Sequence, residues 1–142
     1  MSVEFELPRS EQRKFEQDFK KFSKTLIENL NKIVIASAFT IDRLLKRVLP
    51  VDTGRLRSSY HVEHSRLRGI TYSDRDGNTF KGDLDESIGK NEALVGSNVV
   101  YAELIEMKGG KGGRGRGAFR KIFKKVSDDM IKDMNKEIAE FS

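Results

Sequence analysis

An α+β fold is predicted by three features of the 142-residue sequence: a long apolar stripe of helical period, a middle region of alternation and turn residues, and a second helical stripe at the end. The length is that of one ordinary domain, so a single core and one domain over residues 1–142 are expected. Hydrophobic residues make up 37% and charged residues 35%, too apolar for a disordered chain but lean for a compact monomer. That balance favours an elongated or oligomeric protein.

The first element is a helix over about 11–48. Ser10 is a candidate N-cap, and no proline or glycine interrupts the chain between Pro8 and Pro50. Phe15, Phe19, Phe22, Leu26, Leu30, Ile33, Ser37, Ile41, Leu44 and Val48 advance in steps of three and four and so share one face. An unbroken helix of this span would reach roughly 57 Å at 1.5 Å per residue, which predicts a break or a protrusion. The apolar stretch Ile33 to Ile41 is expected to be buried, with Phe15 to Leu26 packing on a neighbouring subunit.

Pro50 ends the helix, and Asp52, Thr53 and Gly54 supply turn chemistry directly after it. A β region over about 56–98 follows. One or two strands are expected between Ser58 and Tyr72, and Asp76-Gly77 marks a hairpin whose return strand starts near Thr79. Residues 81–92 read as a loop with a short strand near Ile88, and Ala93 to Ser97 as a buried strand. Val99 to Met107 suits a short helix ending at Gly109. The glycine-rich run is expected to form a flexible loop over about 108–117 without regular structure, because ordering so many glycines is costly. Phe119, Phe123, Val126, Met130, Met134, Ile138 and Phe141 then define an amphipathic helix over about 118–140.

Composition disfavours most hydrolases. Cysteine is absent, which excludes disulfides, a thiol nucleophile and thiolate zinc sites. The two histidines, His61 and His64, are three apart; on a strand that spacing points them to opposite faces, and the ordinary reading is two partly exposed side chains. No serine has the surroundings of a hydrolase nucleophile. Asp74, Asp76 and Asn78 resemble the start of a calcium loop, but the glycine and the closing glutamate of that loop are misplaced, so a hairpin turn is the better account. Gly110, Gly112 and Gly115 satisfy GxGxxG by accident, since no βαβ context surrounds them. Neither catalytic residues nor cofactors are expected.

No run approaches the ~20 apolar residues of a membrane span, and the opening MSVEFELPRS lacks the features of a secretory signal; a chain made in cytoplasm and without membrane contact is expected. The formal net charge of +5 is unevenly placed. Between Lys108 and Lys125 there are eight basic residues and no acidic one. Lys108, Lys111, Arg114 and Arg116 are therefore candidates to meet phosphates or an acidic protein surface, and the absence of aromatic residues in the loop limits any nucleic-acid contact to the backbone.

Two segments carry a resemblance. Pro50-Val51-Asp52-Thr53-Gly54-Arg55-Leu56-Arg57-Ser58-Ser59 resembles the P-x-DTG-x-LR-x-S signature of a head–tail joining, or tail-component, family of long-tailed bacteriophages. Val95 to Glu106 is similar to that family's VG(S/T)-x-x-x-YA-x-x-x-E segment, which leads to a glycine-rich loop and a closing helix. Order and spacing agree over nearly the whole chain. Two departures are visible: Ala118 stands where the family often has proline, and the loop is unusually basic.

The resemblance implies a structural virion protein of the neck or upper tail, assembled in host cytoplasm as a homo-oligomeric ring, sixfold or twelvefold, that helps join head to tail. Its implied partners are head-completion, tail-completion or tail-tube proteins, with possible backbone contact to DNA in the channel. Asp52, Thr53, Gly54, Leu56, Gly96 and Tyr101 are read as fold-maintaining motif residues. Arg55, Arg57, Glu103 and Glu106 are candidates for ion pairs between subunits, because a ring repeatedly brings opposite charges together. The alternative is a non-specific nucleic-acid-binding protein using the basic glycine-rich segment. A metal-dependent nuclease would need a carboxylate cluster around Asp83, Asp85 and Glu86.

Overall fold

A forty-residue helix, α1 (Arg9–Val48), is the longest element of the chain. The structure is a computed structural model that describes residues 9–49, 54–84, 87–99 and 101–141. The expected roles of Pro50, Asp52, Thr53, Asp85 and Glu86 therefore lie outside the described residues. α1 is continuous over about 60 Å, so the expected break does not occur and the predicted protrusion does. Ser10 sits inside the first turn rather than before it. Burial also falls further along than expected: Ala38, Ile41 and Leu45 are the buried residues of α1, followed by Leu49, whereas Ile33 to Ile35 are only half-buried. The strands pack against the carboxyl-terminal half of the helix, and that is where the apolar face finds a partner.

Gly54, at φ +77°, turns the chain into α2 (Arg55–Ser59), a single helical turn closed by the Ser58 amide donating to the Gly54 carbonyl. The expected β region thus opens with a helix. Leu56 enters the core as expected, 5% exposed, but from α2. β1 (His61–His64) and β4 (Ala93–Gly96) form one antiparallel ladder, with His61 opposite Gly96 and His64 opposite Ala93. β2 (Ile70–Ser73) and β3 (Thr79–Gly82) form the predicted hairpin. Its turn is built on Asp74, whose Oδ1 accepts hydrogen bonds from the amides of Asp76 and Asn78 at 3.0 and 2.9 Å. Gly77 supplies the positive φ that such a tight reversal needs. No strand forms at Ile88.

After β4 come α3 (Ala102–Lys108), a loop containing one 3-10 turn (Lys111–Gly113), and α4 (Ala118–Phe141). α4 runs antiparallel along α1: the Phe22 and Phe141 rings meet edge to face at 4.7 Å, and Asn29 Nδ2 donates to Glu137 at 2.8 Å. Ile41, Leu45, Leu49, Leu56, Tyr60, Tyr72, Val99, Ala102 and Val126 form one core, so every helix and the hairpin contribute to it. Full burial of a leucine such as Leu45 contributes roughly 1.5–3 kcal/mol, and the cluster sits wholly around the carboxyl-terminal half of α1. Toward its amino terminus α1 outruns α4: the thirteen residues before Phe22 project about 20 Å, with Phe15 and Phe19 exposed by 64% and 59%. None of the helices described is long and apolar enough to cross a membrane.

Candidate functional site

The two motif segments meet. Ser59, which ends the first, and Ser97, in the second, share a hydrogen bond between their hydroxyls, and Ser59 also donates to the Leu56 carbonyl. Ser97 in turn accepts from the Val99 amide at 3.1 Å. These hydroxyls fix the end of α2 to the exit of β4, beside the register pair His61 and Gly96. Gly96 leaves room for Leu84: a Cβ there would touch the Leu84 side chain at 3.4 Å, an ordinary contact rather than a forbidden one. Tyr101 precedes α3 with its side chain 38% exposed.

Beside this junction lies a buried polar group that the sequence reading missed. His61 is 4% exposed, not partly exposed as expected, because both faces of β1 are covered. Its Nδ1 lies 2.9 Å from the Ser59 carbonyl and its Nε2 lies 2.6 Å from Glu63 Oε2. A carbonyl can only accept, so Nδ1 carries a proton, and the short Nε2 to carboxylate contact then needs a second proton on one of its two partners. Glu63 is fully buried; the same Oε2 accepts from the Leu84 amide at 2.9 Å, and Arg68 Nε stands 3.7 Å from Oε1. Gly82 closes over the imidazole, where a Cβ would come within 3.2 Å of His61 Cε1. The available signal was His61 and Glu63 at i and i+2, one face of a strand.

The four charges expected at a subunit boundary differ in surroundings. The Arg55 guanidinium lies 4.1 Å over the Phe80 ring, a cation–π contact that holds α2 on the hairpin. Arg57 Nη2 donates to the Leu49 carbonyl at 2.9 Å, capping the end of α1. Glu106, the closing glutamate of the second motif, caps α4 within its own chain: Oε2 accepts from the Phe119 amide at 2.9 Å and Oε1 from the Arg120 amide at 3.1 Å. A carboxylate at a helix amino terminus satisfies orphan amides and complements the helix dipole. Glu103 is exposed. Three of the four charges therefore hold their own subunit together. Burial, and then the charge of Glu106, raise the pKa of the Tyr60 phenol above its ordinary value of 10.0.

The glycine-rich segment is a loop of turns, with one 3-10 turn kinked at Gly112, that backbone hydrogen bonds close on itself. Its base is closed by the Gly117 amide donating to the Glu106 carbonyl at 2.8 Å, and its interior by the Gly110 amide donating to the Arg114 carbonyl at 2.7 Å. Gly109 has φ +77°, and a Cβ there would lie 2.5 Å from the Gly113 backbone, so only glycine fits. Lys108, Lys111, Arg114 and Arg116 are all exposed on this loop, and Arg120, Lys121, Lys124 and Lys125 extend the exposed basic surface along α4. The arrangement offers an exposed cationic surface for phosphates or carboxylates. Among the described residues no group of three His, Cys, Asp or Glu side chains is placed to hold a metal ion.

The long helix, the two small antiparallel sheets and the closing helix define the class as that of a small α+β protein. The model of the HK97-gp10-like family, described as "Bacteriophage HK97-gp10, putative tail-component", matches residues 13–107. That span is two thirds of the chain, and the chain belongs to this family. Comparison with curated proteins and with solved structures gave no match. The match ends before the basic loop and α4, so the cationic surface lies outside the matched segment.

Proposed function

We propose that the protein is a non-catalytic subunit of the phage neck or upper tail, which assembles with copies of itself into a sixfold or twelvefold ring and helps join head to tail. Membership of a tail-component family supports a structural role in the virion. The observation that supports the joining role is the exposed cationic loop, where Lys108, Lys111, Arg114 and Arg116 stand on a backbone closed at its base by hydrogen bonds. In this reading the loop docks on an acidic surface of a head-completion, tail-completion or tail-tube protein, or lines a channel through which DNA passes. Replacing the four basic residues with serine should leave the fold intact and cause heads and tails to accumulate unjoined, as counted by electron microscopy of lysates. An unchanged yield of infectious particles would rule the joining role of the loop out.

The same eight exposed cations favour a second reading, non-specific binding of nucleic acid by the isolated protein. Its signature is affinity for duplex DNA of any sequence that falls steeply as salt rises. Binding that needs the assembled ring supports the joining role instead.

A further inference from the structure

A groove of about 1020 Å³ runs between the amino-terminal half of α1 and the connections that follow β1 and precede β4. Its apolar floor includes Phe19, Ile27 and Ile35; Phe19 is 59% and Ile27 48% exposed. Five of its fourteen lining side chains are lysine or arginine, Lys24 and Arg66 among them, and one, Glu28, is acidic. At 100° per residue, Ile27 lies about 140° around α1 from Phe22, the residue that meets Phe141 of α4. The groove and the chain's own α4 therefore occupy different sides of the same helix.

The second half of α4 has the complementary character. From residue 127 to residue 141 there are five acidic and two basic side chains, a net of −3. On the same stretch Ile131 and Ile138 are 53% and 43% exposed. They lie about 10.5 Å apart along the axis, close to the ~12 Å between Phe19 and Ile27 on the groove floor. We infer that the groove receives the acidic half of α4 from a second copy of the chain. The apolar floor takes Ile131 and its neighbours, and Lys24 and Arg66 face carboxylates such as Asp128. A nucleic acid would satisfy the cationic rim and leave the apolar floor uncovered; an acidic amphipathic helix satisfies both. Because groove and helix are different surfaces, the contact is head-to-tail, and it closes into a ring when the rotation between copies divides the circle. The inference rests on the self-assembly proposed above and names the surfaces that make it.

The test is sedimentation velocity of the full chain over a concentration series, with a groove variant (Lys24→Glu with Arg66→Glu) and a helix variant that keeps its acidic charges (Ile131→Gln with Ile138→Gln). Circular dichroism checks the fold of each; the four positions lie outside the core. The wild type should form large species, each variant alone should associate at least about tenfold more weakly, and an equal mixture should give dimers and stop there. That mixture retains one intact groove and one intact α4, so a head-to-tail contact can form once and cannot propagate. Variants that assemble like the wild type would overturn the groove assignment and leave the ring standing. A wild type that stays monomeric at every concentration would overturn the self-assembly itself. Loss of DNA binding in the groove variant, with no change in mass, would make nucleic acid the occupant and overturn the inference.

Discussion

Glu106 shows how one side chain can decide where an element begins. Its carboxylate holds the Phe119 and Arg120 amides, so Glu106→Ala leaves the first turn of α4 uncapped and should cost about 1–2 kcal/mol in thermal unfolding, with faster hydrogen exchange confined to those amides. Gly109→Ala should destabilise at least as much, since the new Cβ meets backbone at 2.5 Å in a positive-φ conformation. Tyr60 predicts a pH dependence. Its folded pKa is raised, so between the ordinary value of 10.0 and the higher folded value the unfolded chain has released a proton that the native state keeps. Stability must fall as pH rises through that window, and Tyr60→Phe should flatten the fall in a denaturant series at alkaline pH. Little of this was legible in the sequence. The glutamate stood out within its motif, but the amides it caps are on a helix beginning twelve residues later.

Elements were legible where their period had room to repeat. Forty residues of α1 and twenty-four of α4 carry enough turns to reveal a face, and Asp76-Gly77 named its hairpin because two residues suffice to specify a turn. α2 was missed because five residues are too few to show a period, and its determinant is the left-handed conformation of Gly54. His61 was placed wrongly because alternation along β1 implies one wet face, whereas α1 and the hairpin cover both. The same logic separates the two halves of α1. Leu45→Ala should cost about 2–5 kcal/mol in chemical denaturation, while Phe15→Ala, at a site 64% exposed, should leave monomer stability within about 0.5 kcal/mol.

At the scale of the molecule, the core gathers around one end of a helix that continues well beyond it. A projecting helical segment with few buried contacts opens at little cost, and a lone helix of that length is marginal in water. Brief trypsin treatment of dilute protein should therefore cut first at Arg13, Lys14, Lys20 or Lys21, and the proposed assembly should protect Lys20, which lines the groove. Equal cleavage in dilute and assembled samples would argue that this end of α1 stays bare. The order of the proposed ring left no mark in the sequence, because it would depend on the angle between copies rather than on the period within one.

The ladder between β1 and β4 also constrains how the chain reaches its native state. Its innermost pair, His64 and Ala93, is separated by 29 positions, and the β2–β3 hairpin lies entirely within that interval. Closing so long an interval from a loose chain is entropically slow, but a hairpin already formed shortens the part that must be searched. A hairpin that forms first therefore speeds closure of the ladder, and with it the meeting of Ser59 and Ser97. Gly77→Ala, which strains the hairpin turn, should slow refolding by nearly the full factor it takes from stability, while unfolding proceeds at its former rate.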